Sequence, residues 1–536
     1  MKLNASALDH PECWQQGGFS LPGYDIQALK DKTRQAPAWL HLGAGNIFRA
    51  FPAADLQRLI QQGEYDKGVI VAECFDGEII DKAYLPFDCL SLLCVLKSDG
   101  TVDKQVIASV TEALRCDGKN PAHDERLMDI LAAPSLQMVS LTITEKGYAV
   151  KNAQGDILPF IEADRKAGPT KAASTMGKLT AGLYRRFRKN AAPLSLVSMD
   201  NCSGNGDKLK EAVLCIAMGW AQNDLVDGAF LTYLMDGSKV AFPISMIDKI
   251  TPRPDANVAK MLKDSGFEDV ETIITEKNTY TAAFVNAEET EYLVVEDKFP
   301  AGRPPLEKAG IYFTDRETVD KTEKMKVCTC LNPLHTALAI LGCLLGHTSI
   351  CGEMADEELN KLVHRLAYQE AMPVVVNPGI LSPEKFAGEV LEKRLPNPFM
   401  PDTPQRIATD TSQKLPIRFG ETMKMYQARE DLNLADLQVI PFVLAAWLRY
   451  LMAIDDTLTP FPPSSDPLLS QAQEMTAFLQ IGQRVDKEQL QPILSRSDIF
   501  GLNVYETPLA DTITHWLNNM LQGKGAIRNA LKELLA

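Results

Sequence analysis

A chain of 536 residues is too long for one hydrophobic core, because cores stop growing at roughly 250–300 residues, so two domains are expected. With 45% hydrophobic and 23% charged residues it has the make-up of a folded protein and lacks the composition of a disordered one. A net charge of -15 argues against sequence-independent nucleic-acid binding, which needs lysine and arginine to dominate a surface, and leaves any anionic ligand to a few placed cations.

Residues 1–18 are polar and carry Asp9, His10 and Glu12 where a signal peptide needs an apolar run. The longest strongly apolar stretch, Val439 to Ile454, contains Pro441 and Arg449 and is shorter than the roughly 20 residues of a membrane span. The eleven cysteines include no CxxC pair, and Cys328 and Cys330 lack zinc-knuckle spacing. Reduced thiols, a cytoplasmic location, no metal, no membrane and no nucleic-acid partner are therefore expected.

In chain order, Trp39 to Leu42 is a predicted strand, followed by the turn Gly43-Ala44-Gly45 and a helix from Ile47 to Gln62 in which Ile47, Phe51, Ala54 and Leu59 keep helical spacing. Val69 to Cys74 is a buried strand, Leu90 to Val110 reads as a hairpin excursion around Ser98-Asp99-Gly100, and Leu136 to Thr144 and Leu194 to Met199 are further buried strands. This alternation predicts an α/β fold, a Rossmann-type domain with a mostly parallel sheet. After about Gly310 helical patterns dominate: Thr336 to Leu345, Asp356 to Tyr368, Asp436 to Ile454 and Leu509 to Leu535. The proline-rich run Lys298 to Pro305 marks the shift, which gives a dinucleotide-binding domain over 1–305 and a mainly α-helical substrate domain over 306–536.

Strand, glycine turn and helix form the order a dinucleotide site needs. The two glycines let the backbone turn tightly against a pyrophosphate, and the following helix, Asn46, Ile47, Phe48 and Arg49, presents N–H groups. The third glycine of the usual fingerprint is missing, and alone the turn is equally an ordinary strand-to-helix corner. At the end of the second strand, Glu73 or Asp76 is placed to accept ribose hydroxyls and to repel a 2′-phosphate, which favours NAD; a solvated acidic loop fits either residue as well.

Glu323 to His335 places Lys326, Asn332 and His335 just before an apolar helix. Desolvation lowers the pKa of a lysine held against apolar surface, which lets it exchange a proton with a hydroxyl near neutral pH. Asn332 and His335 are three apart and share a helix face, although Asn332-Pro333 also fits an N-cap and N1 pair. Asp200 to Gly206 follows a buried strand, and Phe242 to Pro252 puts polar groups, Asp248 among them, in an apolar setting.

Taken in order, these segments resemble the polyol-specific long-chain dehydrogenase/reductase (mannitol dehydrogenase) family. The resemblance runs from about Leu40 to at least Arg418 and includes the Gly43 turn, Thr142 to Tyr148, Asp200-Asn201 with Asn205-Gly206, Ser245 to Pro252, Val295 to Phe299, Asn332/His335, Asn397-Pro398 and Asp410 to Pro416. It implies metal-free hydride transfer with NAD, a lysine as general acid/base, asparagines at the reacting oxygen and a histidine orienting the substrate. Those roles fall on Lys326, on Asn201 and Asn332, and on His335. Asp248 matches a substrate-contacting aspartate, Glu323 an acid linked to proton exchange with solvent, and Thr144 falls in the segment beside the cofactor. The family has its lysine five residues before the asparagine, whereas Lys326 precedes Asn332 by six. Either one residue is absorbed as a π-bulge, or Lys324 takes the role; the Glu323-to-Lys326 spacing favours the bulge.

The Met325 to His335 run and Pro401 to Ile407 are more similar to the branch that interconverts fructuronate and mannonate than to the mannitol branch. A sugar acid is therefore the expected substrate, with Lys414, Arg418 or Arg406 as the cation for its carboxylate. A neutral polyol such as mannitol is the alternative substrate, and a nucleotide-binding sensor without catalysis the alternative function.

Overall fold

The computed structural model describes residues 1–536, which form two compact units, Met1–Lys97 with Thr101–Val319, and Ser98–Gly100 with Asp320–Ala536. The stretch 306–319, assigned from the proline run to the second domain, packs with the first unit: its strand Tyr312–Thr314 pairs in parallel with Tyr292–Glu296.

The centre of the first unit is a six-stranded sheet. Its strands are β1 (Trp39–Leu42), β2 (Val69–Glu73), β3 (Val110–Arg115), β4 (Met138–Leu141), β5 (Leu194–Ser198) and β6 (Val240–Ala241), in the order β3-β2-β1-β4-β5-β6. All pairings are parallel. The chain moves outward from β1 in one direction and then restarts on its other side with β4, so the gap between β1 and β4 is the topological switch point where such sheets bind ligands.

The period-2 alternation of the strands explains why the sheet is covered on both faces. Leu40, Leu42, Ile70, Ala72, Val139, Leu141 and Leu196 enter one core, shared with Leu209, Val213, Ile216 and Trp220. Trp39, Val69, Val71, Met138 and Val197 enter the other, shared with Leu56 and Leu59. Each buried leucine contributes about 1.5–3 kcal/mol.

The single predicted helix after the turn is two: α1 (Asn46–Ala50) and α2 (Pro52–Gln61), parted at Phe51 because Pro52 cannot continue the hydrogen-bond ladder. The hairpin excursion is present, Ser91–Leu96 against Val102–Ile107, antiparallel.

The second unit is mainly helical. A continuous helix runs from Arg316 to Leu345, through α3 (Arg316–Lys324), a π-helical segment (Met325–Cys330) and α4 (Asn332–Leu345). Its most apolar 18-residue window has mean hydropathy 1.6 and is 83% buried inside the protein, the burial of a core helix. It is therefore a longer apolar helix than α5 (Val439–Tyr450), whose first N–H groups are capped by the buried carboxylate of Glu370, accepting from Gln438, Val439 and Ile440 at 2.6–2.9 Å. The run predicted as one helix over 509–535 is broken into Leu509–Met520 and Ala526–Leu535 by Gly523 and Gly525, both at positive φ.

Candidate active site

In the first unit the glycine turn lies at the carboxyl end of β1, beside the switch point. Gly43 has φ +109°, and a Cβ there would stand 2.2 Å from the Thr142 carbonyl oxygen at the end of β4, so no other residue fits. A Cβ on Gly45 meets nothing within 4 Å: the second glycine borders open space, as a ligand-facing position requires. The turn is therefore closed against backbone at Gly43 and open at Gly45. Gly43→Ala is expected to lower stability by about 3 kcal/mol, from left-handed strain plus overpacking, and to abolish NADH binding. Thermal denaturation and an NADH fluorescence titration check both effects.

The two acids at the end of β2, expected at the ribose, are both engaged by groups of the protein itself. Glu73 accepts from the backbone N–H groups of Ala44 (2.9 Å), Phe75 (2.8 Å) and Asp76 (3.1 Å), tying the glycine turn to the β2 end. Asp76, 4% exposed, accepts the hydroxyls of Thr275 (2.7 Å) and Thr279 (2.6 Å). These threonines flank the tip of a small hairpin, Ile273–Ile274 against Tyr280–Thr281.

The helix after the turn holds the same hairpin. The Asn46 amide reaches the Tyr280 carbonyl at 3.4 Å. Arg49, expected at the cofactor, is fully buried and donates to Thr281 Oγ1 and to the carbonyls of Ala282 and Ala283 at 2.8–3.0 Å. Phe48 is likewise buried, stacked at 4.0 Å on His41, so its side chain is core; Ile47 is half-buried and packs on the same core. His41 escaped the sequence reading. From β1 its ring nitrogens bond Ser140 Oγ (2.6 Å) and Thr142 Oγ1 (2.8 Å) of β4 and the following residue, and burial pushes its pKa down to about 3.

Asp200 and Asn205 explain most of their motif structurally. Asp200 accepts the N–H groups of Ile143 and Thr144 at 2.9 Å and the Tyr148 hydroxyl at 2.5 Å. Asn205 joins the Asp200 carbonyl to Ser245. Gly206 lies against backbone: a Cβ would be 2.7 Å from the Phe242 and Pro243 carbonyls. Asn201 sits between these anchors and is exposed. Thr144 is exposed at φ +64°, a strained conformation for a residue with a side chain, beside the switch point. Asp248 ends the strand Ser245–Asp248 and is buried.

In the second unit the extra residue between Lys326 and Asn332 is accommodated by the π-helix. The N–H of Leu331 bonds to the carbonyl of Lys326 at 3.1 Å, five residues back, where an α-helix reaches four. Lys326 is 4% exposed; Lys324 points to solvent, and Glu323 is half-buried one turn before Lys326. Asn332 occupies the first turn after the bulge, and Leu331, not Asn332, is the capping residue.

His335 stands one turn on. Its Nε2 lies 3.6 Å from Asp402 and has no hydrogen-bond partner. Burial, reinforced by Arg418, Arg406 and Arg394 against the opposing pull of Asp402, pushes its pKa down to about 4, so the ring is neutral at physiological pH.

The three cations proposed for a carboxylate are not equivalent. Arg406 is 61% exposed and paired with Asp402. Lys414 donates to the carbonyls of Ile407 and Thr409, and burial lowers its pKa to about 8. Arg418, half-buried, donates to Thr336 Oγ1 and to the Asn332 carbonyl (3.5 Å), faces no carboxylate, and is pushed down to about 10 by burial. It lies on another π-helical segment, Pro416–Gly420, directly against the Asn332 turn.

Residues 37–308 match the mannitol dehydrogenase Rossmann domain and residues 318–521 the mannitol dehydrogenase C-terminal domain. The chain belongs to the mannitol dehydrogenase family. It is 47% identical to the D-mannonate oxidoreductase of Thermotoga maritima, over 100% of this chain and 99% of that protein. It is 30% identical to the mannitol 2-dehydrogenase of Pyrenophora tritici-repentis, covering 89% and 78% respectively. Its fold is similar to that of Pseudomonas fluorescens mannitol 2-dehydrogenase solved with NAD and D-mannitol, with TM-score 0.68, 25% identity and coverage of 100% and 99%. As a member of the mannitol dehydrogenase family the chain is an oxidoreductase with a Rossmann domain and a helical carboxyl-terminal domain.

Proposed function

We propose that this oxidoreductase is NAD-dependent and interconverts the ketone of D-fructuronate with the secondary alcohol of D-mannonate. The observation that carries the sugar-acid reading is Arg418, a partly buried guanidinium without a carboxylate, set against the turn that bears Asn332 and His335. The name of the Thermotoga maritima relative supports the same substrate pair, and the NAD bound to the Pseudomonas fluorescens neighbour supports the cofactor.

The first unit holds the dinucleotide along Gly43, Ala44 and Gly45, with Thr144 across the switch point. When bound, the nicotinamide supplies or accepts the hydride. Lys326 gives a proton to the substrate oxygen in reduction and takes it back in oxidation. The Asn332 amide donates to that oxygen; in the first unit, Asn201 is the exposed amide that the family resemblance assigns to the substrate. Neutral His335 orients a neighbouring hydroxyl, Glu323 relays the lysine's proton to solvent, and Asp248 contacts the substrate's hydroxyls. Arg418 takes the carboxylate, with Lys414 beside it; Arg406 holds Asp402 in place.

Rates of NADH oxidation with fructuronate, tagaturonate and fructose test the reading. Fructuronate is expected to exceed fructose by about 100-fold or more in kcat/KM, since a site built around a charged group rejects the analogue that lacks it. Activity with fructose alone overturns it.

A further inference from the structure

In dinucleotide folds of this type a carboxylate at the end of the second strand meets the ribose hydroxyls and disfavours a 2′-phosphate. Here both acids at that position are turned inward and engaged, Glu73 by three backbone N–H groups and Asp76 by two threonine hydroxyls. The side chains that do reach solvent are Phe75, 67% exposed, and Lys277, at the tip of the hairpin that Asp76 clamps. The Lys277 ammonium lies 3.6 Å from the centre of the Phe75 ring and donates to the Phe75 carbonyl.

Lys277 has no acidic partner within ion-pair distance. Three nearby acids are paired elsewhere: Glu78 with Lys82 at 2.9 Å, and Asp81 and Asp117 with Arg115. The neighbouring Glu276 is exposed, and its N–H is bonded to Glu78. At the end of β2 itself, the side chains that face solvent are an aromatic ring and the ammonium above it, and no carboxylate. An ammonium reads a phosphate as a point charge, and an aromatic face is a platform for a base.

We propose that the adenosine end of the cofactor site accepts a 2′-phosphate, with Lys277 as its counter-charge and Phe75 as its neighbouring platform, so that the protein binds NADP(H) as well as NAD(H). This rests on the reading of the Gly43 turn as the dinucleotide site. The hairpin is positioned by Asp76, Asn46 and Arg49, so the lysine is delivered by the same residues that frame the turn.

The test is binding of NADH, NADPH and adenosine 2′,5′-bisphosphate to the full chain, followed by nicotinamide fluorescence and calorimetry, with the wild type, Lys277→Ala and Lys277→Glu. Wild type is expected to bind NADPH within about tenfold of NADH. Lys277→Glu is expected to weaken NADPH and the bisphosphate by about tenfold or more, with NADH changed less than about threefold. Because Lys277 is exposed, both variants keep the fold, and circular dichroism verifies it. Binding of NADH without NADPH overturns the inference alone. Equal losses for both cofactors in Lys277→Glu overturn the assignment to the 2′-phosphate. Binding of neither cofactor overturns the dinucleotide reading as well.

Discussion

Lys326→Ala is expected to lower kcat by about 10²–10⁴-fold, the usual contribution of a positioned acid/base group, while NADH binding stays within about twofold of wild type. Stopped-flow or steady-state NADH oxidation reads the first effect and a fluorescence titration the second. The expectation follows from the local winding of the helix. The wide turn over Met325–Cys330 takes up the additional residue, Lys326 is buried, and its competitor Lys324 is in solvent, where an amine is an ordinary surface charge. A Lys324→Ala variant is accordingly expected to retain its turnover. Unchanged turnover in Lys326→Ala would remove the proton-transfer assignment and favour a protein that binds a nucleotide without turning it over.

The second large effect is expected at Arg418. Arg418→Met removes the guanidinium proposed for the substrate carboxylate, and kcat/KM for fructuronate should fall by about 10²–10³-fold, while a neutral ketose should change by less than about threefold. Arg418→Lys should recover only part of the loss, because an ammonium cannot reproduce the guanidinium's paired donors. A competing role is visible in the geometry: Arg418 also donates to Thr336 Oγ1 and to the Asn332 carbonyl, so it braces the asparagine turn. The ratio of the two substrates separates these roles. If rates on fructuronate and on fructose fall together, Arg418 serves Asn332 and not the carboxylate.

Much of the architecture was legible because it rests on local patterns. Trp39 to Leu42 occurs as the strand its apolar run implies, and the order of strand, turn and helix is that of a nucleotide fold. The extra residue after Lys326 could be anticipated as a bulge because a helix cannot otherwise keep both ends in phase. What the sequence could not show was the direction in which side chains turn. Glu73, Asp76 and Arg49 occupy the positions where a cofactor's partners are looked for, yet each is drawn inward by backbone or hydroxyl groups, among them groups on segments some 30 to 230 residues away in sequence. Helix ends were misread for simpler reasons. Pro333 does stand in the first turn of its helix, but the capping residue is Leu331 and not Asn332, because the helix is entered directly from the π-helical segment. Residues 509–535 kept an unbroken apolar rhythm across Gly523 and Gly525, whose positive φ breaks the helix although the hydrophobic face continues. The selection of Arg418 among three cations likewise depended on seeing where each is held: Arg406 is exposed and paired with Asp402, Lys414 is turned to the Ile407 and Thr409 carbonyls, and Arg418 lies against the Asn332 turn.

The threefold grip of Glu73 on the backbone has a thermodynamic consequence. A glycine-containing turn is entropically expensive to immobilise, and a site that waits for its ligand to order it loses that entropy at each encounter. Here the carboxylate, with the Tyr84 hydroxyl bonded to the Ala44 carbonyl at 3.0 Å, has already frozen the turn. At the proposed dinucleotide site, ligand arrival then need not organise the loop, so the ordering cost is met once, during folding, and affinity there is expected to follow the stability of the β2 end.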